Sequence, residues 1–236
     1  MNFKNKLKAV RAGVSAFQRQ RARTRTRAGH SYGVWYFNSN LWREIRWFGV
    51  PIYKLPFDLW NYQEILSELQ PSLVVEFGSA YGGSALYFSH LLCSLGNPYR
   101  VLSVDIDHSG ISGRARQDPN IDFIQSSSTD PKVAETIAAW RRKLPGPLFA
   151  ILDSDHSKKH VLAEMELLRP LLTNGDYMVV EDGCVNGHPL LPGWGEGPFE
   201  ALEEYMRLHP EDYRADRERE TRFGFTFAPN GYLIRV

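Results

Sequence analysis

Residues 73–84 read Leu73-Val74-Val75-Glu76-Phe77-Gly78-Ser79-Ala80-Tyr81-Gly82-Gly83-Ser84, and the fold turns on this stretch. The run from Leu73 to Gly78 predicts a buried strand closed by glycine, and residues 83–95 predict a helix. Glycine at such a turn lets the backbone approach a ligand closely. The same alternation then repeats. Segments 100–105 (RVLSVD) and 121–125 (IDFIQ) predict two more strands. Thr129-Asp130-Pro131 opens a helix running to about Arg142, with proline in its first turn. A fourth strand is predicted at 148–153 (LFAILD), and a helix at 157–172 with Val161, Leu162, Met165, Leu168 and Leu172 on one side. A fifth strand follows at 176–182 (DYMVVED) and a helix at 198–208. FGFTF (223–227) and GYLIRV (231–236), joined by Pro229-Asn230-Gly231, predict a closing hairpin. Strands alternating with helices predict an α/β chain with a doubly wound, mostly parallel sheet and an antiparallel edge. Its ligands should sit at the carboxyl ends of the strands.

Upstream of this core, a helix is predicted from about Leu59 to Leu69, with Trp60, Ile65, Leu66 and Leu69 facing inward and Pro71 stopping it. Eleven aromatic residues crowd positions 31–62, a composition suited equally to core or subunit packing and to an acceptor platform. Residues 1–30 carry nine lysines and arginines and no acid. Since the whole chain has 28 basic and 27 acidic residues, the remainder is acidic on balance, which argues against a nucleic-acid-binding body. Phe3, Leu7, Val10, Val14 and Phe17 are spaced 4, 3, 4, 3, the pattern of a basic amphipathic helix suited to peripheral membrane contact through residues 3–17. The chain thus divides into a basic arm and connector (1–30) and a single domain (31–236). No apolar run approaches ~18 residues, and residues 1–30 lack a secretory apolar core. The two cysteines, Cys93 and Cys184, imply no disulfide framework and a reducing, cytoplasmic setting.

The second predicted strand ends in Asp105, suited to the two hydroxyls of a ribose. The spacing of Gly78, Gly82 and Gly83 does not match the glycine fingerprint of a dinucleotide site. Asp153 ends the fourth strand, and Glu181 and Asp182 end the fifth, so a parallel sheet brings three carboxylates to one edge. Their repulsion is relieved by a hard divalent cation such as Mg2+, which all-oxygen ligands suit; three solvated loop acids, or caps of the following helices, are the alternative. His156, three residues after Asp153, is the candidate general base, with a helix cap or supporting hydrogen bond as the alternative. His156 and His160 are spaced i, i+4 and could in principle share a zinc ion, but His160 reads as structural. Residues 183–198, rich in glycine and proline, read as a lid on the acceptor side, with His188 and Trp194 as candidate sugar contacts. A metal-dependent hydrolase built on Asp153, Asp155, His156 and His160 is a competing reading, as is a subunit without catalytic activity.

The form Glu76-x-Gly78-x-x-x-Gly82-x-Ser84 resembles the first motif of class I S-adenosylmethionine-dependent methyltransferases. Four longer stretches, NYQEILSELQPSLVVEFGSAYGGSALYF (61–88), AILDSDHSKKHVLAEMELLRPLL (150–172), GDYMVVEDGCVNGHP (175–189) and FGFTFAPNGYLIRV (223–236), resemble the cephalosporin hydroxylase/rhamnosyl O-methyltransferase family. They are most similar to its mycobacterial-type rhamnosyl O-methyltransferases. The resemblance covers roughly residues 31–236 and implies a Rossmann-like methyltransferase fold. It implies cofactor contacts by Glu76, Gly78, Ser79, Tyr81, Ser84, Asp105, Ser127 and Asp153. It further implies Mg2+ ligands in Asp153, Glu181 and Asp182, with His156 and Asp153 at the catalytic centre. Where many members carry an acid for the adenine, this chain has Ser127. No iron triad of two histidines and a carboxylate accompanies the hydroxylase half of the family name. The expected reaction is Mg2+-dependent methylation of a sugar hydroxyl, rhamnosyl by preference, on a glycosylated small-molecule or lipid acceptor. A natural product is the alternative acceptor within the same family, and a homo-oligomer is the expected assembly.

Overall fold

The computed structural model describes residues 27–236. The amphipathic stretch 3–17 and most of the connector lie outside these residues. A helix, α1, covers residues 27–38, so the domain boundary expected at residue 30 falls inside it. A two-strand hairpin follows, β1 (Arg46–Trp47) with β2 (Val50–Pro51), and then α2 (Pro56–Leu69). The sheet is built from β3 (Leu73–Phe77), β4 (Arg100–Asp105), β5 (Ile121–Gln125), β6 (Leu148–Leu152), β7 (Tyr177–Val180), β8 (Tyr213–Ala215) and β9 (Tyr232–Arg235). Its order is β5-β4-β3-β6-β7-β9-β8, parallel from β5 through β7, with β9 antiparallel to both β7 and β8. The expected doubly wound sheet with an antiparallel edge is therefore present.

The intervening helices are α3 (Gly83–Leu95), α4 (Gly113–Arg116), α5 (Pro131–Lys143), α6 (Lys158–Leu168), α7 (Pro198–Leu208) and α8 (Arg217–Thr221). Central strands bury both faces, as a sheet covered on each side requires. Val74, Val101, Phe149 and Val179 pack with α2 and α3, and Val75, Leu102, Ala150 and Met178 pack with α5, α6 and α7. Asp130 caps α5 by accepting from the Lys132 amide, with Pro131 in the first turn as expected. Helix α6 ends at Leu168, short of the expected residue 172, because Pro170 lacks the N–H that would continue it.

Two expectations fail for identifiable reasons. Residues 223–227 form no strand; β9 pairs instead with the three-residue β8. The phenylalanine alternation there serves a different core, in which Phe225 and Phe227 pack with Tyr36, Leu55 and Val185. The segment's polar groups go to the buried Asp58 of α2, which accepts from the Phe227 amide at 2.9 Å and the Thr226 hydroxyl at 2.6 Å. Trp60 is 57% exposed rather than inward, because α2 begins at Pro56 and turns Tyr62, Ile65 and Leu66 to the core.

Asp58 also accepts from the Tyr232 hydroxyl at 2.7 Å, so one carboxylate joins α2, the 223–228 segment and β9. Burial pushes its carboxyl up to about 6, against these three donors. Asp58→Ala leaves all three donors without their acceptor. It should lower stability by about 3 kcal/mol, read as a fall in Tm by calorimetry. Among the described residues no helix is long and apolar enough to cross a membrane. Cys93 and Cys184 are both free.

Candidate functional site

The chain runs outward from β3 to β4 and β5, then returns to β6 on the other flank of β3. The crevice at the carboxyl ends of β3 and β6 is the topological switch point where such sheets bind ligands. A cavity of about 500 Å³ opens there. It is lined by the turn after β3 (Gly78–Tyr81, Gly83, Ser84), by Asp105 and Ile106 after β4, by Ser126–Ser128 after β5, and by Asp153–His156 and Asp182. That volume lies within the range of small-molecule and cofactor sites.

The turn after β3 is held by its neighbours. Asp105 Oδ2 accepts from the amides of Ser79 at 2.8 Å and Ala80 at 3.1 Å, so the acid that faces the cavity also fixes the turn. The expected reason for Gly78 needs correction. Its φ is +97°, and a Cβ there would sit 2.0 Å from the Asp153 carbonyl oxygen. The missing side chain therefore serves first the close packing of the β3 and β6 ends, which brings Asp153 beside the turn. Likewise a Cβ on Gly83 would meet the Pro51 carbonyl at 2.0 Å, so α3 abuts β2 directly. That contact lays residues 52–55 across the site, with Tyr53 and Lys54 in the cavity wall.

Glu76, expected as a cofactor contact, is fully buried within β3 and absent from the cavity lining. It accepts from the Ser103 hydroxyl at 2.6 Å, and Ser103 also bonds Ser79, so Glu76 braces the turn from below. Burial pushes its carboxyl up to about 7, with Lys54 pulling the other way. Tyr81, Ser84 and Ser127 line the cavity as expected, with Ser127 Oγ 2.9 Å from Thr129 Oγ1. Ile106, which sequence reading passed over, is an apolar side chain left 73% exposed at the cavity edge directly after Asp105. An aliphatic surface beside a ribose-binding acid can cover the flat face of a base.

The acidic end is arranged around a lysine. Asp153 and Glu181 continue their strands, their amides bonding the Phe77 and Leu152 carbonyls at 2.8 and 2.9 Å. Asp182 follows with φ +53°, a left-handed conformation that aspartate tolerates better than most residues. Lys54 Nζ forms a short ion pair with Asp153 Oδ2 and lies 3.1 Å from Glu181 Oε2. The Tyr62 hydroxyl donates to Glu181 Oε1 at 2.7 Å, and the Tyr36 hydroxyl donates to the Lys54 carbonyl at 3.1 Å. Burial disfavours the ammonium, but Asp153, Glu181 and Glu76 outweigh it and hold Lys54 charged. Burial also works against the Asp153 carboxylate, yet Lys54 and His156 keep its carboxyl below the usual range. Glu181 and Asp182 are both pushed up, chiefly by burial.

His156 Nε2 lies 3.1 Å from Asp182 Oδ2 and 3.5 Å from Asp153 Oδ1. Burial pulls the imidazole down, but Asp182 and Asp153 overcome it and raise it to about 9. With those charges uncompensated the ring keeps its proton at neutral pH. A cation among the same oxygens takes away the cause of the rise. Asp153, His156 and Asp182 offer one ligand atom each within 4.8 Å of one another, so the chain can hold a small ion there. Glu181, expected beside them as a ligand, has both oxygens engaged by Lys54 and Tyr62 and sits behind this group. A carboxylate oxygen with two lone pairs can still serve a cation as well.

The remaining candidates separate cleanly. His160 Nε2 lies 2.9 Å from Ser128 Oγ and 3.3 Å from Glu164 Oε1, a structural role against the buried Glu164. Asp155 accepts from the Ser157 amide at 2.7 Å and opens α6. Both line the cavity with Asp153 and His156, but neither belongs to the trio whose ligand atoms converge, Asp153, His156 and Asp182. His188 stacks on Phe199 with ring centres 3.7 Å apart and lies 2.9 Å from Glu200 Oε1, outside the cavity lining. Glu200 also accepts from the Asn186 side-chain amide at 2.8 Å and the Gly197 backbone amide at 2.7 Å, so the loop end that carries His188 is tied to the start of α7. Trp194, from the same loop, is 52% exposed with its ring 6.5 Å from that of His156. Of the aromatic region, Tyr36 and Phe57 pack inward, while Trp42 and Tyr53 meet edge to face at 5.4 Å on the cavity wall. Core packing, one of the two uses expected of that region, therefore occurs, and Trp42 and Tyr53 stand where the other would place an acceptor platform.

Sequence reading missed Lys54. Its signal was a single cation inside the apolar run Val50-Pro51-Ile52-Tyr53-Lys54-Leu55-Pro56-Phe57. A lysine drawn into a core must bring a partner.

A family model described as rhamnosyl O-methyltransferase/CmcI matches residues 39–236. A rhamnosyl O-methyltransferase of Mycobacterium tuberculosis (strain H37Rv) is 56% identical over 204 residues, 86% of this chain and 83% of that protein. One of Mycobacterium leprae is 56% identical over 204 residues, 86% of this chain and 89% of that protein. Among solved structures, CmcI with Mg and SAM superposes with a TM-score of 0.67 at 25% identity, covering 82% of this chain and 77% of that one. An apo-structure of CmcI gives a TM-score of 0.67 at 26% identity over the same shares.

Proposed function

The chain belongs to the rhamnosyl O-methyltransferase/CmcI family, and on that premise we propose that it is a Mg2+-dependent S-adenosylmethionine O-methyltransferase acting on a sugar hydroxyl, rhamnosyl by preference, of a glycolipid or polysaccharide. The observation that carries this reading is one cavity lined both by the glycine turn with Asp105 and by the Asp153, His156 and Asp182 group. When bound, the sulfonium donor supplies an activated methyl group, and the divalent ion lowers the pKa of the acceptor hydroxyl.

The chain's own residues do the rest. The turn from Gly78 to Ser84, with Asp105 tying its amides, gives the donor a fixed seat. Asp105 takes the ribose, Ile106 covers the base, and Ser127 stands on the adenine side. Asp153 and Asp182 hold the ion, with Glu181 completing the set from behind. His156, with Nε2 beside both aspartates, takes the hydroxyl proton as the methyl transfers. Rigid strand ends keep these groups in register, so positioning supplies much of the acceleration. Trp194 and the Trp42–Tyr53 pair frame the acceptor side. Contact of residues 3–17 with an anionic membrane fits a lipid-linked acceptor. Self-association is supported by the exposed rings of Trp35, Phe48 and Trp60.

The role of Asp105 predicts that Asp105→Ala weakens S-adenosylmethionine binding at least about tenfold in calorimetry, through lost ribose bonds and a slackened turn. The function itself is tested by mass spectrometry of rhamnosylated glycolipids after incubation with enzyme, S-adenosylmethionine and Mg2+. A gain of one methylene unit on the sugar, lost with a chelator, is expected. No gain, a gain that survives the chelator, or methylation only of acceptors without sugar would overturn the proposal.

A further inference from the structure

Lys54 is not used by the chemistry above, yet burying its ammonium is costly. Its relative exposure is 2%, and its ammonium bridges Asp153 and Glu181. The segment that carries it is held from three directions. Pro51 abuts Gly83, the Lys54 carbonyl accepts from Tyr36, and Leu55 is buried beside it. At Tyr53 the backbone takes φ +27°, a rare conformation for a non-glycine residue that neighbouring packing must enforce. The fold thus accepts strain and desolvation to hold one positive charge against the carboxylates.

We infer that Lys54 is a built-in counter-charge that sets how tightly the carboxylate group binds its divalent ion. The inference rests on the metal reading proposed above. With His156 neutral beside a bound ion, three carboxylates and Lys54 leave two negative charges, the charge a divalent ion neutralises. Without Lys54 the same group carries three, and the ion is drawn in more strongly. In the ion-free protein Lys54 also offsets the repulsion between Asp153 and Glu181, on the side of the group away from His156. Its ion pair fixes Asp153 Oδ2 and leaves Oδ1 on the side of His156. Lys54 is accordingly a positioning residue, acting through Asp153 and Glu181.

The test is calorimetric titration of metal-free full-length protein with Mn2+ and Mg2+, with Tm measured in chelator and in excess Mn2+. Lys54→Met should bind Mn2+ about tenfold more tightly than wild type, the effect of one elementary charge on a divalent ion even at near-aqueous screening. Its Tm should fall in chelator and recover with Mn2+. Lys54→Arg, which keeps the charge, should stay within about threefold of wild type. Tyr62→Phe removes a hydrogen bond to Glu181 without changing charge and should not tighten binding. Equal or weaker Mn2+ binding by a folded Lys54→Met protein overturns the inference while leaving the metal site standing. A Lys54→Met protein that Mn2+ cannot restore also overturns it. Wild-type protein that takes up no divalent ion overturns the metal reading and this inference together.

Discussion

Asp153→Asn should lower kcat by at least about a thousandfold while changing S-adenosylmethionine affinity by less than about tenfold. The asparagine keeps the shape, so β6 still ends against Gly78, and the backbone bond to Phe77 is untouched. What it removes is charge. Asp153 is the one carboxylate that meets Lys54, His156 and the candidate ion position together. With the amide in place, the ion keeps at most a neutral, weaker oxygen ligand and the imidazole loses one of the two carboxylates beside it. Groups that stabilise developing charge at a metal-assisted centre are typically worth two to three orders of magnitude each, and here two effects fail at once. Single-turnover rates with a rhamnosylated acceptor, beside calorimetry with the donor, separate chemistry from binding. A variant that keeps more than about a tenth of wild-type turnover would remove Asp153 from the reaction centre.

The frame of this site was legible in the sequence because strand ends are legible. Strands β3, β4, β6 and β7 are near-continuous apolar runs, and each is closed by a glycine or an acid: Gly78, Asp105, Asp153, Glu181. Parallel topology then gathers those ends at one edge without any knowledge of side-chain geometry. Legibility stopped where long-range packing decides. FGFTF alternates like a strand, but the alternation answers to the core around Tyr36 and Leu55, and Asp58 claims its polar groups. Strand β8 is three residues long, with Arg214 at its centre, too short to leave a pattern. Glu76 and Asp105 both looked like ligand acids. Only the Ser103 and Ser79 hydroxyls show that the first braces the turn while the second faces the cavity. His188 is held outside the cavity lining by Phe199 and Glu200, partners eleven and twelve residues away that no local motif announces. Lys54 lies 99 residues before Asp153, and nothing in their spacing links them.

His156→Gln should reduce kcat between about a hundred- and ten-thousandfold, the usual span for loss of a positioned general base. The same variant decides between two jobs that its geometry allows. As a ligand, the imidazole Nε2 would complete the group it forms with Asp153 and Asp182. As a base, it stands beside an ion held by oxygens alone and takes the acceptor's proton. The hard-ion chemistry of clustered carboxylates favours the second, since Mg2+ prefers oxygen donors and keeps several waters. Glutamine removes the basic nitrogen but retains polarity and approximate reach. If His156 is the base, Mn2+ affinity stays within about threefold of wild type while turnover falls. If it is a ligand, Mn2+ affinity should fall at least about tenfold, since even groups that merely orient a metal's ligands cost that much when changed. The second outcome, with turnover restored at saturating metal, would transfer proton acceptance to another group of the site. Because Asp153→Asn is expected to weaken metal binding and His156→Gln is not, the pair of variants separates holding the ion from moving the proton, two roles that the structure packs within a few ångströms of each other.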